Sequence, residues 1–543
     1  MKAIPSTLFK SGALAISLAG APLLATTPAQ RPQAPIVTID SGRIDGTTAD
    51  GGVSAYLGIP YAAPPVRDLR WRDPRPVEPW SGIFHADRFG PQCVQPQRGI
   101  TTNQYSGAEV TSEDCLYLNV WTRPSLKQAP VIVFLHGGGF FIGAGSMPLY
   151  AGDGIARQGA VMVNLNYRLG ALGFLAHPDL SKESPHHSSG DYGFLDQIAA
   201  LRWVHRNIAR FGGDPDKVTI VGQSAGSMSV LALQASPLAR GLFQRAVGMS
   251  GAIIGSAGPM TMRSLADAER EGKKFETLMK ASDIAGLRAI PADRLVVPRR
   301  PDSPAIGPIE DGYVLPDSIE SIFAHGKQND VPLMLGFARD ETLGGFGAIS
   351  GLDDYRAGAA ARFGDRAPAF LALYPASSDQ EAQMQARLAD RDQVMVAAMA
   401  AWAEAQVAHG HAPVYSYMFA RPHSYTPGVA IPDIDPATAG AYHTSEVPFW
   451  LGTLDSFNRF RTTRDWTRAD RDFSAAMTES LVAFARTGNP DTARFQWPAF
   501  DPRHPRLLEL GAQARRGDWP DQRKLAFFQN APVKGEPSPK TRD

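Results

Sequence analysis

The chain has 543 residues, 43% hydrophobic and 20% charged, an ordinary globular composition that excludes a disordered, collagen-like or coiled-coil protein. At ~150 residues per domain the length allows several domains, although large α/β enzymes often exceed that figure within one. Lys plus Arg is 54 and Asp plus Glu is 54, and a surface with no net positive charge lacks a general means of holding phosphate backbones or anionic lipid, so nucleic-acid binding is set aside.

At the start of the chain, Lys2 and Lys10 precede an apolar run from Gly12 to Ala25, with small residues up to Ala29. This pattern reads as a secretory signal peptide over 1–29, with a retained N-terminal anchor as the alternative. The 14-residue run is shorter than the ~20 residues a bilayer-spanning helix needs, and no comparable uncharged stretch follows. Export would place Cys93 and Cys115, the two cysteines of the chain, where a disulfide is permitted. Such a bridge would close a loop of 21 intervening residues and contribute ~3 kcal/mol, chiefly by restricting the unfolded chain. Two buried free thiols are the other reading.

Further along, short apolar runs alternate with helical patterns. Pro130 to Leu135 is rich in β-branched residues and ends in His136-Gly137-Gly138-Gly139-Phe140, and Ala160 to Leu165 ends at Asn166-Tyr167-Arg168. A helix-length segment from Asp196 to Arg210 separates these from Val218 to Val221, which stops at Gly222-Gln223-Ser224-Ala225-Gly226 and a helical pattern from Ser227 to Gln234. Two later strands are expected at Ala246 to Ser250 and Val331 to Gly336, and a largely helical stretch from Ser378 to His409. Continuous apolar strands separated by helices indicate a parallel sheet covered on both faces. With no repeat or low-complexity linker, one compact domain over 30–529 is expected, followed by a frayed polar tail over 530–543.

Two of the strand ends carry chemistry. Glycines two before and two after Ser224 permit a sharp strand-to-helix turn that projects the hydroxyl of a strained central residue from the sheet edge. A nucleophile there sits at a helix N-terminus, where the amide of Ala225 and the helix dipole favour developing negative charge. The glycine run after the earlier strand lets backbone amides approach a reacting oxygen, so Gly138 and Gly139 can join Ala225 in an oxyanion hole of three donors; a flexible turn or anion-binding loop is the plainer alternative. A nucleotide site is a poor match, since neither a dinucleotide glycine fingerprint in its strand-helix setting nor a phosphate-loop lysine is present.

These segments resemble the type B carboxylesterase and cholinesterase branch of the α/β-hydrolase superfamily. Phe211-Gly212-Gly213-Asp214-Pro215 with Val218 to Gly226 is similar to the family's nucleophile signature, and Glu113 to Trp121 to its second one. Tyr56 to Ala62, Asn166 to Gly170 and Gly193 to Gln197 are further family-like blocks, so the likeness extends from about Ile36 to Pro502. It implies an α/β-hydrolase fold: a mostly parallel central sheet flanked by helices, with large helical insertions.

In this fold the acid and then the histidine follow the nucleophile along the chain. Gly336 to Glu341 is similar to the segment that carries the acid, which implies Glu341, with Asp340 as the fallback, and Ala441 to Phe449 is similar to the histidine segment, which implies His443. The expected reaction is two-step acyl transfer through Ser224, His443 and Glu341, without cofactor or metal. Ser250 is implied as a hydrogen-bonding neighbour of His443, and Gln223 stands where the family commonly has glutamate. Asp196, Arg168 and Glu446 are expected to be structural anchors. His443 and Glu446, three residues apart, lack the further ligands a zinc site needs, and His186-His187 is expected to be exposed.

The departures from the family bear on substrate. Cholinesterases carry a tryptophan inside the first disulfide loop to receive a quaternary ammonium, whereas residues 94–114 hold Tyr105 and no tryptophan, and Gln223 removes a negative charge beside the nucleophile. An uncharged or apolar carboxylic ester is therefore expected, with a roomy acyl side along Ala252 to Ala257. An amidase or transacylase would use the same residues, and a silent binding protein of this fold would have lost them. The remaining expectations are a small-molecule partner, a monomer or homodimer, and a periplasmic or extracellular bacterial enzyme, the last suggested by 42 Arg against 12 Lys.

Overall fold

The computed structural model describes residues 33–49, 51–104, 107, 110–254, 262–341, 346 and 349–529, so the expected signal peptide, the tail and Tyr105 lie outside the described residues. The main sheet runs along the chain as β1 (Gln33–Ile39), β2 (Gly42–Ala49), β3 (Val53–Pro60), β4 (Tyr117–Thr122), β5 (Ala129–Leu135) and β6 (Val161–Leu165). It continues with β7 (Gly213–Gln223), β8 (Arg245–Met249), β9 (Leu333–Ala338), β10 (Val414–Phe419), β11 (Arg506–Leu510) and β12 (Ala514–Asp518). Their spatial order is β1-β2-β3-β4-β6-β5-β7-β8-β9-β10-β11-β12, and a short strand, Ile83–His85, pairs with β2. From β6 through β11 all pairings are parallel, while β1 to β4 and β12 pair antiparallel.

The continuous apolar runs are explained by burial on both faces. Along β5, Val131, Val133 and Leu135 enter one hydrophobic core while Ile132 and Phe134 enter the other. In β6, Val161, Val163 and Leu165 share the first core, and Met162 reaches the second. Side chains alternate across a strand, so a strand between two helical layers must be apolar at every position.

The helices follow the expected pattern with shifted ends. The segment expected from Asp196 forms α1 (Tyr192–Asn207), and α2 (Ala225–Ala235) starts directly after β7. Ser378 caps Asp379–Arg391, and a π-helical turn, Asp392–Val396, joins it to Ala397–His409. The large insertions stand between parallel strands: Leu265–Leu278, Ile284–Ala289 and Ile319–Ala324 before β9, then Leu352–Phe363, Ala367–Leu373 and the helix pair just named before β10.

Cys93 and Cys115 are joined in a disulfide with Cα atoms 5.0 Å apart, which settles the choice between bridge and free thiols. Asp196 on α1 accepts a fork of hydrogen bonds from buried Arg168, Nε to Oδ2 at 2.8 Å and Nη2 to Oδ1 at 2.7 Å, together with the Arg168 amide. This pair pins the loop after β6 to the helix that packs under β7.

Candidate active site

Ser224 links β7 to α2 with φ 57° and ψ −124°, a left-handed conformation that costs a non-glycine residue energy and is held here by its surroundings. Its amide donates to the Met249 carbonyl at 2.8 Å, and its carbonyl accepts from the Met228 amide at 3.0 Å. The flanking glycines are required by space. A Cβ on Gly222 would lie 2.1 Å from the Gly226 carbonyl oxygen, and one on Gly226 would lie 2.0 Å from that of Leu135. The strain thus sits on the serine itself, and its neighbours have no room for side chains.

The glycine loop after β5 lies against this turn. A Cβ on Gly137 would meet the Gln223 carbonyl at 2.7 Å and the Ser224 Cβ at 3.0 Å, so any side chain there would displace the serine. Gly138 and Gly139 have φ of 113° and 63°, conformations open to glycine. The preceding His136 is buried and kept neutral, its pKa pushed down to about 4 by burial against the opposing pull of the Gly137 carbonyl. Its ring stacks on Tyr167, whose hydroxyl donates to the His136 carbonyl at 2.8 Å. Gln95, inside the disulfide loop, clamps Gly143 from both sides, accepting from its amide at 2.7 Å and donating to its carbonyl at 2.8 Å. Arg299 donates to the Gly139 carbonyl and lies 5.3 Å from the Phe141 ring centroid. Neither Gln95 nor Arg299 carries a signal in the sequence, because both come from segments whose approach to the loop is set by tertiary structure.

Glu341 follows β9 and is buried, 1% exposed. Its Oε1 accepts from the Ala338 amide at 2.9 Å, and its Oε2 lies 3.5 Å from His443 Nδ1, an ion-pair distance longer than a formed hydrogen bond. Asp340 is engaged elsewhere: it pairs with Arg339 at 2.9 Å and accepts from the Ala441 amide at 2.7 Å. Burial of His443 works against its charged form, but the charges of Glu341 and Glu446 outweigh it and raise the imidazole pKa above its usual value. Thr444, next in sequence, has φ 80°, a strained conformation for a β-branched residue. His443 Nε2 lies 3.3 Å from Gln223 Nε2, and among the described residues no hydrogen bond joins Ser224 Oγ to it. Contacts between a nucleophile and its base commonly tighten only with substrate in place.

Ser250, with φ 52°, donates at 3.0 Å to Glu446 Oε1, and among the described residues it makes no direct bond to the imidazole. Glu446 is fully buried, and its pKa is pushed up to about 7 by burial and by the charge of Glu341, against the pull of His443. Two carboxylates thus stand near one imidazole. Only Glu341 is within ion-pair distance of it among the described residues.

Ser224, Gly137, Gly138 and His443 line one cavity of ≈ 290 Å³, with Arg98, Gln104, Tyr150 and Asp433 also on its wall. It adjoins a wider outer cleft of ≈ 1110 Å³ through Asp433, Ile434 and Tyr442. The described wall is more polar than the sequence suggests. Ala252, Ile253 and Ile254 are packed into the core, and Gly255, Ser256 and Ala257 lie outside the described residues. Among the described residues, His177, Asp179 and Glu276 bring three potential metal donors together, yet the His177 ring already bonds Glu276 at 2.6 Å and accepts from the Asp179 amide at 3.2 Å. Those bonds, with Lys273 on Glu276, account for the group as a helix cap and ion pair.

Comparison with known proteins gives a concordant result. The model of the carboxylesterase family matches residues 33–528. The chain is 36% identical over 497 residues to fumonisin B1 esterase of Sphingopyxis macrogoltabida, covering 88% of this chain and 86% of that protein. It is also 36% identical over 521 residues to para-nitrobenzyl esterase of Bacillus subtilis (strain 168), covering 92% and 99%. A solved structure of a PNB esterase superposes with a TM-score of 0.76 at 33% identity, covering 92% of this chain and 99% of that one.

Proposed function

The chain belongs to the carboxylesterase family and is a carboxylic-ester hydrolase, and on that premise we propose that it works as a secreted serine esterase through Ser224, His443 and Glu341. The observation that carries this reading is the shared cavity, where the hydroxyl-bearing turn, the glycine loop and the imidazole meet, with the Glu341 carboxylate 3.5 Å behind the ring.

In the first half-reaction Ser224 Oγ attacks the ester carbonyl while His443 Nε2 takes its proton. The negative charge of Glu341 favours the protonated ring that results. The amides of Gly138, Gly139 and Ala225 receive the oxyanion, each donor being worth roughly 3 kcal/mol of transition-state stabilisation. Collapse of the tetrahedral intermediate breaks the bond to the alcohol, which leaves with the proton held by His443 and leaves the acyl group on Ser224. Water, deprotonated by the same imidazole, then attacks the acyl-enzyme, and the acid departs. Burial opposes the charged ring, but the Glu341 carboxylate outweighs it and raises the pKa of His443, which favours the imidazolium that holds the proton between the two transfers.

The substrate proposed is a carboxylic ester without a cationic group, since Gln223 places no negative charge directly before the nucleophile. The domain reading is a single hydrolase domain over 30–529, behind a signal peptide at 1–29 and before a tail at 530–543, acting as monomer or homodimer outside the cytoplasm. The test is hydrolysis of 4-nitrophenyl acyl esters and organophosphate labelling by the chain from Gln30, beside Ser224→Ala. Turnover and labelling should vanish together in the variant. A parent protein that neither labels nor turns over would make Ser224 a structural residue and leave the catalytic reading without a nucleophile. Mass spectrometry of the exported protein's N-terminus tests the signal peptide.

A further inference from the structure

Arg98 lines the catalytic cavity, half-buried, on the loop closed by the Cys93–Cys115 disulfide. Its position is set by the clamp three residues earlier, where Gln95 holds Gly143 of the glycine loop. Among the described residues its guanidinium makes two contacts, both 3.4 Å from Nη1 to Gln104, one to the carbonyl and one to Oε1, and no ion pair. Four other enclosed arginines carry a carboxylate partner, while Arg464 is buried on neutral acceptors. Arg70 pairs with Glu113 at 2.6 Å, Arg168 with Asp196 at 2.7 Å, Arg391 with Asp392 at 2.6 Å and Arg421 with Asp470 at 2.8 Å. A guanidinium presents five donors in a planar fork that matches a carboxylate, and among the described residues Arg98 spends only Nη1 on protein acceptors.

The cavity wall around Arg98 identifies which part of an ester it meets. The Gln104 amide bonds Thr444 Oγ1, beside His443. In ester cleavage the histidine delivers its proton to the leaving alcohol, so this wall faces the alcohol portion. Asp433, the carboxylate on the cavity's rim, is exposed, accepts from the Asn103 amide at 2.7 Å and is not ion-paired to Arg98. Solvent screens it far more than it screens a half-buried guanidinium.

From this juxtaposition we infer that the enzyme is selective for esters whose alcohol portion carries a carboxylate, which Arg98 binds as a fork. The inference deepens the proposed esterase reading and rests on it, and it departs from the expectation of an uncharged or apolar ester by assigning the charge to the leaving group. Bound this way, the free carboxylate anchors the alcohol beside His443 while the ester carbonyl lies against Gly138 and Ser224. Hydrolysis itself is unchanged: the ester C–O bond breaks, water supplies the hydroxyl of the acid, and the proton goes to the departing alcohol.

The test compares two acetyl esters of similar phenols, anionic 4-acetoxybenzoate and neutral 4-acetoxybenzamide, in the wild type, Arg98→Gln and Arg98→Lys. A charge-assisted bond of this kind corresponds to about tenfold to a hundredfold in kcat/KM. The wild type should favour the anion by that factor, mainly through KM, and the preference should shrink as salt is added. In Arg98→Gln the ratio of the two substrates should fall to near one; in Arg98→Lys it should be intermediate, because an ammonium keeps the charge and loses the fork. Using the ratio removes any effect of the substitution on folding. Equal turnover of both esters by the wild type, or a preference that survives in Arg98→Gln, would overturn the inference while leaving the serine esterase intact. A wild type inert toward both esters would remove the esterase reading and this inference with it.

Discussion

Around Arg168 the buried charges are matched: Asp196 accepts two side-chain bonds and one amide, and the remaining guanidinium donors reach the carbonyls of Arg72 and Tyr192. Around His443 they are left over. Glu341 Oε2, Glu446 Oε2 and His443 Nδ1 are all buried without a hydrogen-bond partner among the described residues. Both regions lie at the end of the same sheet and enclose charge of both signs. A matched network holds backbone in place, since every nitrogen of its guanidinium is committed. An unsaturated one keeps polar atoms in low dielectric, where a charge that develops during reaction interacts strongly.

The sharpest break of this contrast is Glu341→Gln. The substitution keeps the shape and removes the charge facing the imidazole, and kcat should fall about 10³- to 10⁴-fold with the fold unchanged. Asp340→Asn should leave kcat within a few-fold, because that carboxylate is committed to Arg339 and the Ala441 amide. Stopped assays on the purified pair decide it, and the opposite ranking would move the acid to Asp340. On the matched side, Asp196→Ala should destabilise the protein by about 3 to 5 kcal/mol in denaturant unfolding, since it strands a buried guanidinium. Per folded molecule, its kcat should change far less than that of Glu341→Gln. If Asp196→Ala lowers kcat as much without loss of stability, the division between frame and site fails.

Next in size is the disulfide. Cys93→Ser with Cys115→Ser should cost about 3 kcal/mol by releasing the loop in the unfolded chain. Because the loop carries Gln95 and Arg98 to the glycine loop, the double variant should also raise KM before it lowers kcat. A fall in kcat at constant KM would place the loop's contribution in the oxyanion geometry instead.

What the sequence disclosed follows the same division. Two-sided burial made β5, β6 and β7 readable as apolar runs, and steric need made the glycines around Ser224 and in the His136 loop readable as motifs. The antiparallel half was not readable: β2, Gly42–Ala49, contains Gly, Arg, Asp and Thr in a partly exposed strand, and its pairing is decided by neighbours far along the chain. Glu341 and His443 came only through resemblance, since each lies more than a hundred residues from Ser224 and their meeting is a property of the sheet edge. Arg98 was invisible for a different reason. Its interest lies in having no carboxylate partner among the described residues, and a missing contact leaves no pattern in a sequence.

The smallest expected effect tests whether the surplus carboxylate at the site is used. The negative charge of Glu446 raises the pKa of His443. His443 must be neutral to accept the Ser224 proton, so activity rises with pH as the ring loses its charge. Glu446→Gln removes the negative neighbour and lets the imidazole deprotonate earlier; the acid limb of kcat/KM should move to lower pH, with the plateau changed by a few-fold at most. Stability should respond with the opposite partner. The pKa of Glu446 is raised in the folded state from 4.5 to about 7, so the stability tied to its protonated form is present below 4.5 and lost as pH rises through about 7. Glutamine does not titrate and keeps the hydrogen bond to Ser250 available. Relative to wild type, the variant should therefore gain stability between about pH 5 and about pH 8 in paired unfolding curves. A pH-independent stability difference together with an unmoved acid limb would show that Glu446 is neutral across this range and that Glu341 alone sets the charge felt by His443.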